Sequence, residues 1–198
     1  MTILSKLKWF IGIFMVFFLI VATNLIDKKS FTRIKESVVS IYEDRLVAKK
    51  IIYDISNKIH QKELAIALND SMFYQNENSS INEGIDELLL QFGETNLTKQ
   101  EKFVLDQFKM NFIELKKLEK SFSISNLELS NNINLKIEKI TDNLNALSVI
   151  QMEEGKKHMF ISKKELNTVE IFTQMEIILL FILALIVQVI IMYKPKSK

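Results

Sequence analysis

The chain has 198 residues, nearly half of them apolar, with 26 basic and 24 acidic residues, four glycines, one proline and no cysteine. Without cysteine there can be no disulfide, no cysteine zinc site and no thiol nucleophile. The near-balanced charge is no electrostatic footprint for nucleic acid, and no nucleophile–base pair, phosphate loop or paired-carboxylate motif stands out, so the chain reads as a non-enzyme with no cofactor and no metal.

Residues 1–8 form a tail containing Lys6 and Lys8, followed by an apolar span from Trp9 to Ile26. This is within reach of the roughly 17–25 apolar residues that cross a bilayer as a helix. A signal peptide is the alternative reading, with Val21-Ala22-Thr23 as a poor cleavage site, but such cores run only about 7–15 apolar residues. A second span, residues 172–193, carries the run from Ile177 to Tyr193, and Lys194, Lys196 and Lys198 follow it in the tail 194–198. The lysine flanks place both termini in the cytoplasm of a bacterial inner membrane, with Trp9 and Tyr193 at the same headgroup level. Residues 27–171 are then extracytoplasmic. Removing the five terminal lysines and Glu176 leaves 21 basic against 23 acidic residues there, a net charge of about −2.

The middle region is patterned for helices. From Phe31 an apolar seam runs through Ile34, Val38, Ile41, Arg45, Ala48, Ile52, Ile55, Ile59, Lys62, Ile66, Asn69 and Phe73 in steps of three and four. That heptad predicts one helix from the first span to about Tyr74. The polar cluster Gln75 to Ser80 predicts the first turn, with Ser79 or Ser80 as the next N-cap. A short second helix with Ile81, Ile85, Leu88 and Phe92 on one face is expected to end at Gly93. Thr98 and Glu101 have the spacing of a capping box, opening a third helix with Leu105, Phe108, Phe112, Leu115 and Phe122 inward. Ser121 to Asn126 predicts the third turn. A last helix then runs from about Leu127 into the second span, with the seam Ile133, Ile137, Ile140, Leu144 and Leu147. After the polar stretch Gln151 to His158, where Gly155 marks the expected bend, the seam resumes as Met152, Met159, Leu166 and Val169. Amphipathic stripes of this kind can be buried only against one another. The expected fold is all-α: a membrane-anchored antiparallel up-down four-helix bundle, with two transmembrane helices continuous with its first and last helices.

The order of span, long helix, two shorter helices, long helix and span, with the stretches Ser40 to Leu46, Ile81 to Leu89 and Leu97 to Glu101, resembles the four-helix-bundle sensor domain of bacterial methyl-accepting chemotaxis proteins. The resemblance implies an extracytoplasmic module that dimerises, binds a small ligand or a protein partner, and passes a helix displacement through the membrane. Only Lys194 to Lys198 follow Tyr193 in the sequence, without the family's methylated signalling hairpin. Output is therefore expected to pass through a separate membrane signalling or transport protein. The competing readings are a non-sensing structural or interaction module and an accessory subunit of a membrane complex.

Arg45, one of two arginines, sits on the seam between Ile41 and Ala48. It needs a carboxylate from a neighbouring helix or a ligand. Lys62 and Asn69 lie farther along the same stripe with His60 beside them, at the height where the resemblance places a ligand pocket between the first and last helices; polar seam residues also set register or oligomeric state. The arginines that grip carboxylates in the amino-acid receptors are absent. His158, with Met152 and Met159 nearby, lacks a second metal-ligating partner and reads as a surface histidine. Glu176 sits at the outer edge of the second span, and Gln188 within it is the candidate for contact between membrane helices.

Overall fold

A computed structural model of the chain describes residues 3–120 and 127–192. Every regular element among them is helical: α1 (Ile3–Ser40), a π-helical turn (Ile41–Leu46), α2 (Val47–Ala67), α3 (Ser71–Asn76), α4 (Asn78–Glu94), α5 (Lys99–Lys120) and α6 (Leu127–Met192). The expected third turn, Ser121 to Asn126, lies outside the described residues together with Phe122 and the C-terminal lysines. The chain divides into two compact units, one of Met1–Val38 with Met159–Lys198 and the other Val39–His158.

The unit Val39–His158 is a helical bundle whose core is a single apolar cluster. Ile52, Ile55 and Ile59 from α2 meet Ile85 and Phe92 from α4, Phe108 and Phe112 from α5, and Ile140 and Leu147 from α6. Each such side chain, once buried, contributes about 1.5–3 kcal/mol. The seams predicted for the third helix and for the first half of the last helix are the ones buried here. On α4 it is Leu89 that is buried, with Leu88 half-buried beside it.

Local chemistry sets the helix ends, and three of them differ from expectation. The first bundle helix stops at Ala67, short of Tyr74, because Asn69 adopts a left-handed conformation with φ 51°. The Asn69 and Asp70 amides donate back to the carbonyls of Ile66 and Ala65, the paired bonds of a Schellman ending. Asp70 then caps the short α3 by accepting from the Phe73 amide at 3.1 Å. α4 begins at Asn78, ahead of the serines expected to cap it, and continues through Gly93. Thr95 ends it, with its hydroxyl donating to the Phe92 carbonyl at 2.8 Å. The capping box is present as predicted: the Glu101 amide donates to the Thr98 hydroxyl, and the Thr98 amide to the Glu101 carboxylate.

The seam also departs from expectation before Arg45 and after Ile150. Thr23, Ser30 and Ser37 are buried at seven-residue intervals, as are Arg45, Ile52, Ile59 and Ile66, but eight residues separate Ser37 from Arg45. The π turn takes up the extra residue, since a π turn is an α-helix with one residue inserted. Phe31 and Val38, expected inside, are therefore exposed. On α6, Met152, Met159 and Leu166 are likewise exposed, while Gln151 is buried and His158, Ser162 and Glu165 are half-buried. Of the four seam residues expected there Val169 alone is half-buried, and these polar side chains hold other inward positions. α6 runs through Gly155 without a break.

In the other unit, Glu165 of α6 accepts from the Ser30 hydroxyl at 2.9 Å and the Arg33 guanidinium at 2.7 Å on α1. Beyond this clasp the side chains turn apolar and outward: Phe14, Phe17, Phe18 and Leu25 on α1, and Ile177, Ile178, Phe181 and Ile182 on α6, are all exposed. Among the described residues, α6 is the one helix with a stretch long and apolar enough to cross a membrane, by length and composition.

Candidate functional site

The two cations on the α2 seam both end in buried pairs. Arg45, at the end of the π turn, donates through Nη1 to Glu101 Oε1 at 2.5 Å and to Gln151 Oε1 at 3.0 Å, and through Nη2 to the Asn96 carbonyl at 3.0 Å. Glu101 thus serves twice, as the reciprocal half of the α5 capping box and as the counter-charge that lets Arg45 sit in the core. The loop between α4 and α5 is held from the same turn, because Asp44 accepts from the Asn96 amide at 3.3 Å and from the Ser40 hydroxyl at 2.8 Å. His158 Nε2 lies 3.4 Å from that hydroxyl.

At the other end of the core, Lys62 donates to Glu119 at 2.7 Å and to Asn78. Asn78 and Asn82 both donate to the second oxygen of Glu119, at 3.1 and 3.0 Å. Lys62 and Glu119 have side chains 0% and 1% exposed, so nothing dissolved in water reaches this pair. Burial pushes the Lys62 ammonium below the ordinary lysine range, against the opposing pull of Glu119. Burial, helped by Glu119, pushes the Tyr74 hydroxyl up.

The partner glutamates are the functional residues that sequence reasoning missed, and a signal for them was present. Glu101 and Glu119 extend the α5 stripe of Leu105, Phe108, Phe112 and Leu115 by one four-residue step at each end. They are eighteen residues apart, and Arg45 and Lys62 are seventeen apart on the other helix. Two helices running the same way through one bundle bring such pairs level at both ends.

The remaining candidates are scattered. His60 is exposed, with Nδ1 3.1 Å from Glu63 one turn away. Asn69 is exposed at the left-handed ending of α2, so its place on the seam is a cap and not an inward contact. Gln188 is exposed on α6 and Glu176 half-buried. No group of three or more metal-ligating side chains occurs among the described residues. The bundle surface does carry a groove between α2 and α6, about 480 Å³ in volume, lined by Glu63, Ala67, Asn134, Glu138, Thr141 and Asp142 with Ile137 at its floor. Beside it the outer face of the first bundle helix is apolar at heptad spacing: Tyr42, Leu46, Tyr53 and Leu64 are exposed, with His60 in line.

A family described as a four-helix-bundle sensory module for signal transduction matches residues 1–166. The chain belongs to this family. No curated protein and no solved structure matches it. In this sensory module Arg45 with Glu101 and Lys62 with Glu119 are buried ion pairs, one toward each end of the core.

Proposed function

We propose that this sensory module is a membrane sensor. Both apolar spans cross the bilayer, the lysine-rich termini lie in the cytoplasm and the bundle lies outside. The module pairs with a second copy along the stripe of Tyr42, Leu46, Tyr53 and Leu64, takes a small ligand into the groove between α2 and α6, and passes the change to a membrane signalling partner. The groove carries the reading: Glu63, Glu138 and Asp142 line it, and both seam cations are committed to the core. A ligand bearing a cationic group fits that lining. A carboxylate does not.

The test is a thermal shift of the full chain in detergent micelles against putrescine, spermidine, choline and basic amino acids. An amine present at 100 times its Kd should add about 2.7 kcal/mol of stability, and Glu138→Gln with Asp142→Asn should abolish the shift. No shift with any amine, or a shift indifferent to those substitutions, overturns the ligand assignment. The second reading, a non-sensing assembly module, draws on the sealed core. It predicts pairing along the α2 stripe with no ligand response at all.

A further inference from the structure

The face formed by α4 and α5 is divided lengthwise by charge. α4 carries Glu83, Asp86, Glu87 and Glu94 and no basic residue, and all four acids are exposed. α5 carries six lysines. Of its acidic residues, Glu101 and Glu119 are consumed in the core and Glu114 pairs with Lys136 of α6, leaving Asp106. An apolar groove of about 370 Å³ runs between the two helices, with Leu89 and Phe112 in its lining. Its walls include Leu90 and Ile113, which are 69% and 50% exposed. A single ion pair, Lys116 to Asp86 at 2.8 Å, crosses the seam.

We infer that this face is a contact with a second copy of the chain, separate from the α2 stripe, in which α4 of each copy lies on α5 of the other. A two-fold contact brings one patch against itself. If the axis ran across the helices, α4 would meet α4 and acid would face acid. If it runs parallel to the helices, each α4 meets the partner's α5, acid faces lysine on both sides, and Leu90 lies opposite Ile113 of the partner subunit. Only the second arrangement is complementary in charge. It also keeps both copies pointing the same way, as two chains anchored in one bilayer must; that part rests on the membrane reading above.

The chain has no cysteine, so introduced thiols report the contact directly. Full-length chains carrying Leu90→Cys and Ile113→Cys, with different tags, are co-expressed in membranes and oxidised with copper phenanthroline. The mixed disulfide between the two variants should dominate over either self-disulfide. Adding Glu83→Lys and Glu87→Lys to both chains should cut it by about tenfold, because like charges facing each other penalise association. Tyr53→Cys, on the α2 stripe, should crosslink equally with and without those changes. The inference is overturned if the mixed product does not exceed that of an exposed α3 control, Gln75→Cys, if it survives charge reversal, or if the thiols are captured by a different protein. Loss of the Tyr53 crosslink alone would count against the α2 stripe and leave the α4–α5 contact standing.

Discussion

Lys62 and Glu119 test whether an ion pair in this core is worth its desolvation. Removing one partner strands the other, so Glu119→Ala should cost about 3–5 kcal/mol, read as a lowered denaturant midpoint of the helical signal. The double variant Lys62→Met with Glu119→Leu, which fills the space with apolar atoms, should recover most of that loss or exceed the parent. The pair also makes stability depend on pH. Because the folded Lys62 releases its proton below the ordinary lysine value, the unfolded chain holds more protons between that lowered value and about 10.4, and stability should rise with pH across the window. Comparing melts of the parent and the double variant isolates this slope, which the double variant should lack. Glu165 acts in the opposite direction. Hydrogen bonds from Arg33 and then Ser30 hold its carboxyl below the usual carboxylate range. Its contribution is therefore complete above the unfolded value, about 4.3, and is lost as pH falls through the folded one. The difference in melting temperature between the parent and Glu165→Gln should close on acidification, and a difference that persists at low pH would show the clasp is not electrostatic.

Among the elements, the π turn and the ending of α2 each decide where side chains point. Deleting exposed Glu43 should turn the π turn into ordinary α-helix and bring Ser37 and Arg45 onto one heptad, keeping helical content and stability close to the parent's. Deleting Lys50 on α2 instead throws Arg45 and Ala48 out of phase with Ile52 and should unfold the bundle, as circular dichroism would record. At Asn69 the left-handed backbone disfavours any β-branched side chain, so Asn69→Val should cost about 1–2 kcal/mol and Asn69→Gly nearly nothing. Neither feature stood out in the sequence. An asparagine is compatible with a seam as well as with a cap, and the one inserted residue is hidden in the heptad because Val38 and Ile41 both happen to be apolar. The capping box was legible, because Thr98 and Glu101 satisfy each other's orphan amides without help from elsewhere in the fold.

At the scale of the whole molecule, the two-span reading makes a topological prediction. Single cysteines at Lys99 and Lys6 should divide in intact cells: a membrane-impermeant maleimide should label the first and not the second, and labelling of Lys6→Cys would reverse the orientation. The sequence alone determined that the chain is helical, which apolar stripes of the third helix and of the first half of the last helix are buried, and that the last helix starts near Leu127 and leads into an apolar span, while its passage through Gly155 without the expected bend was decided by the structure. These follow from periodicity and from Gly and Pro being scarce, both local properties. Only the tertiary structure decided which carboxylates neutralise Arg45 and Lys62, because the members of each pair stand 56 and 57 residues apart and no local rule ties them together. It decided likewise that Met152 and Met159 face outward while Gln151 faces in. Burial is set by which helix lies opposite: Gln151 meets the Arg45 guanidinium, and Met152, one residue on, points away from it.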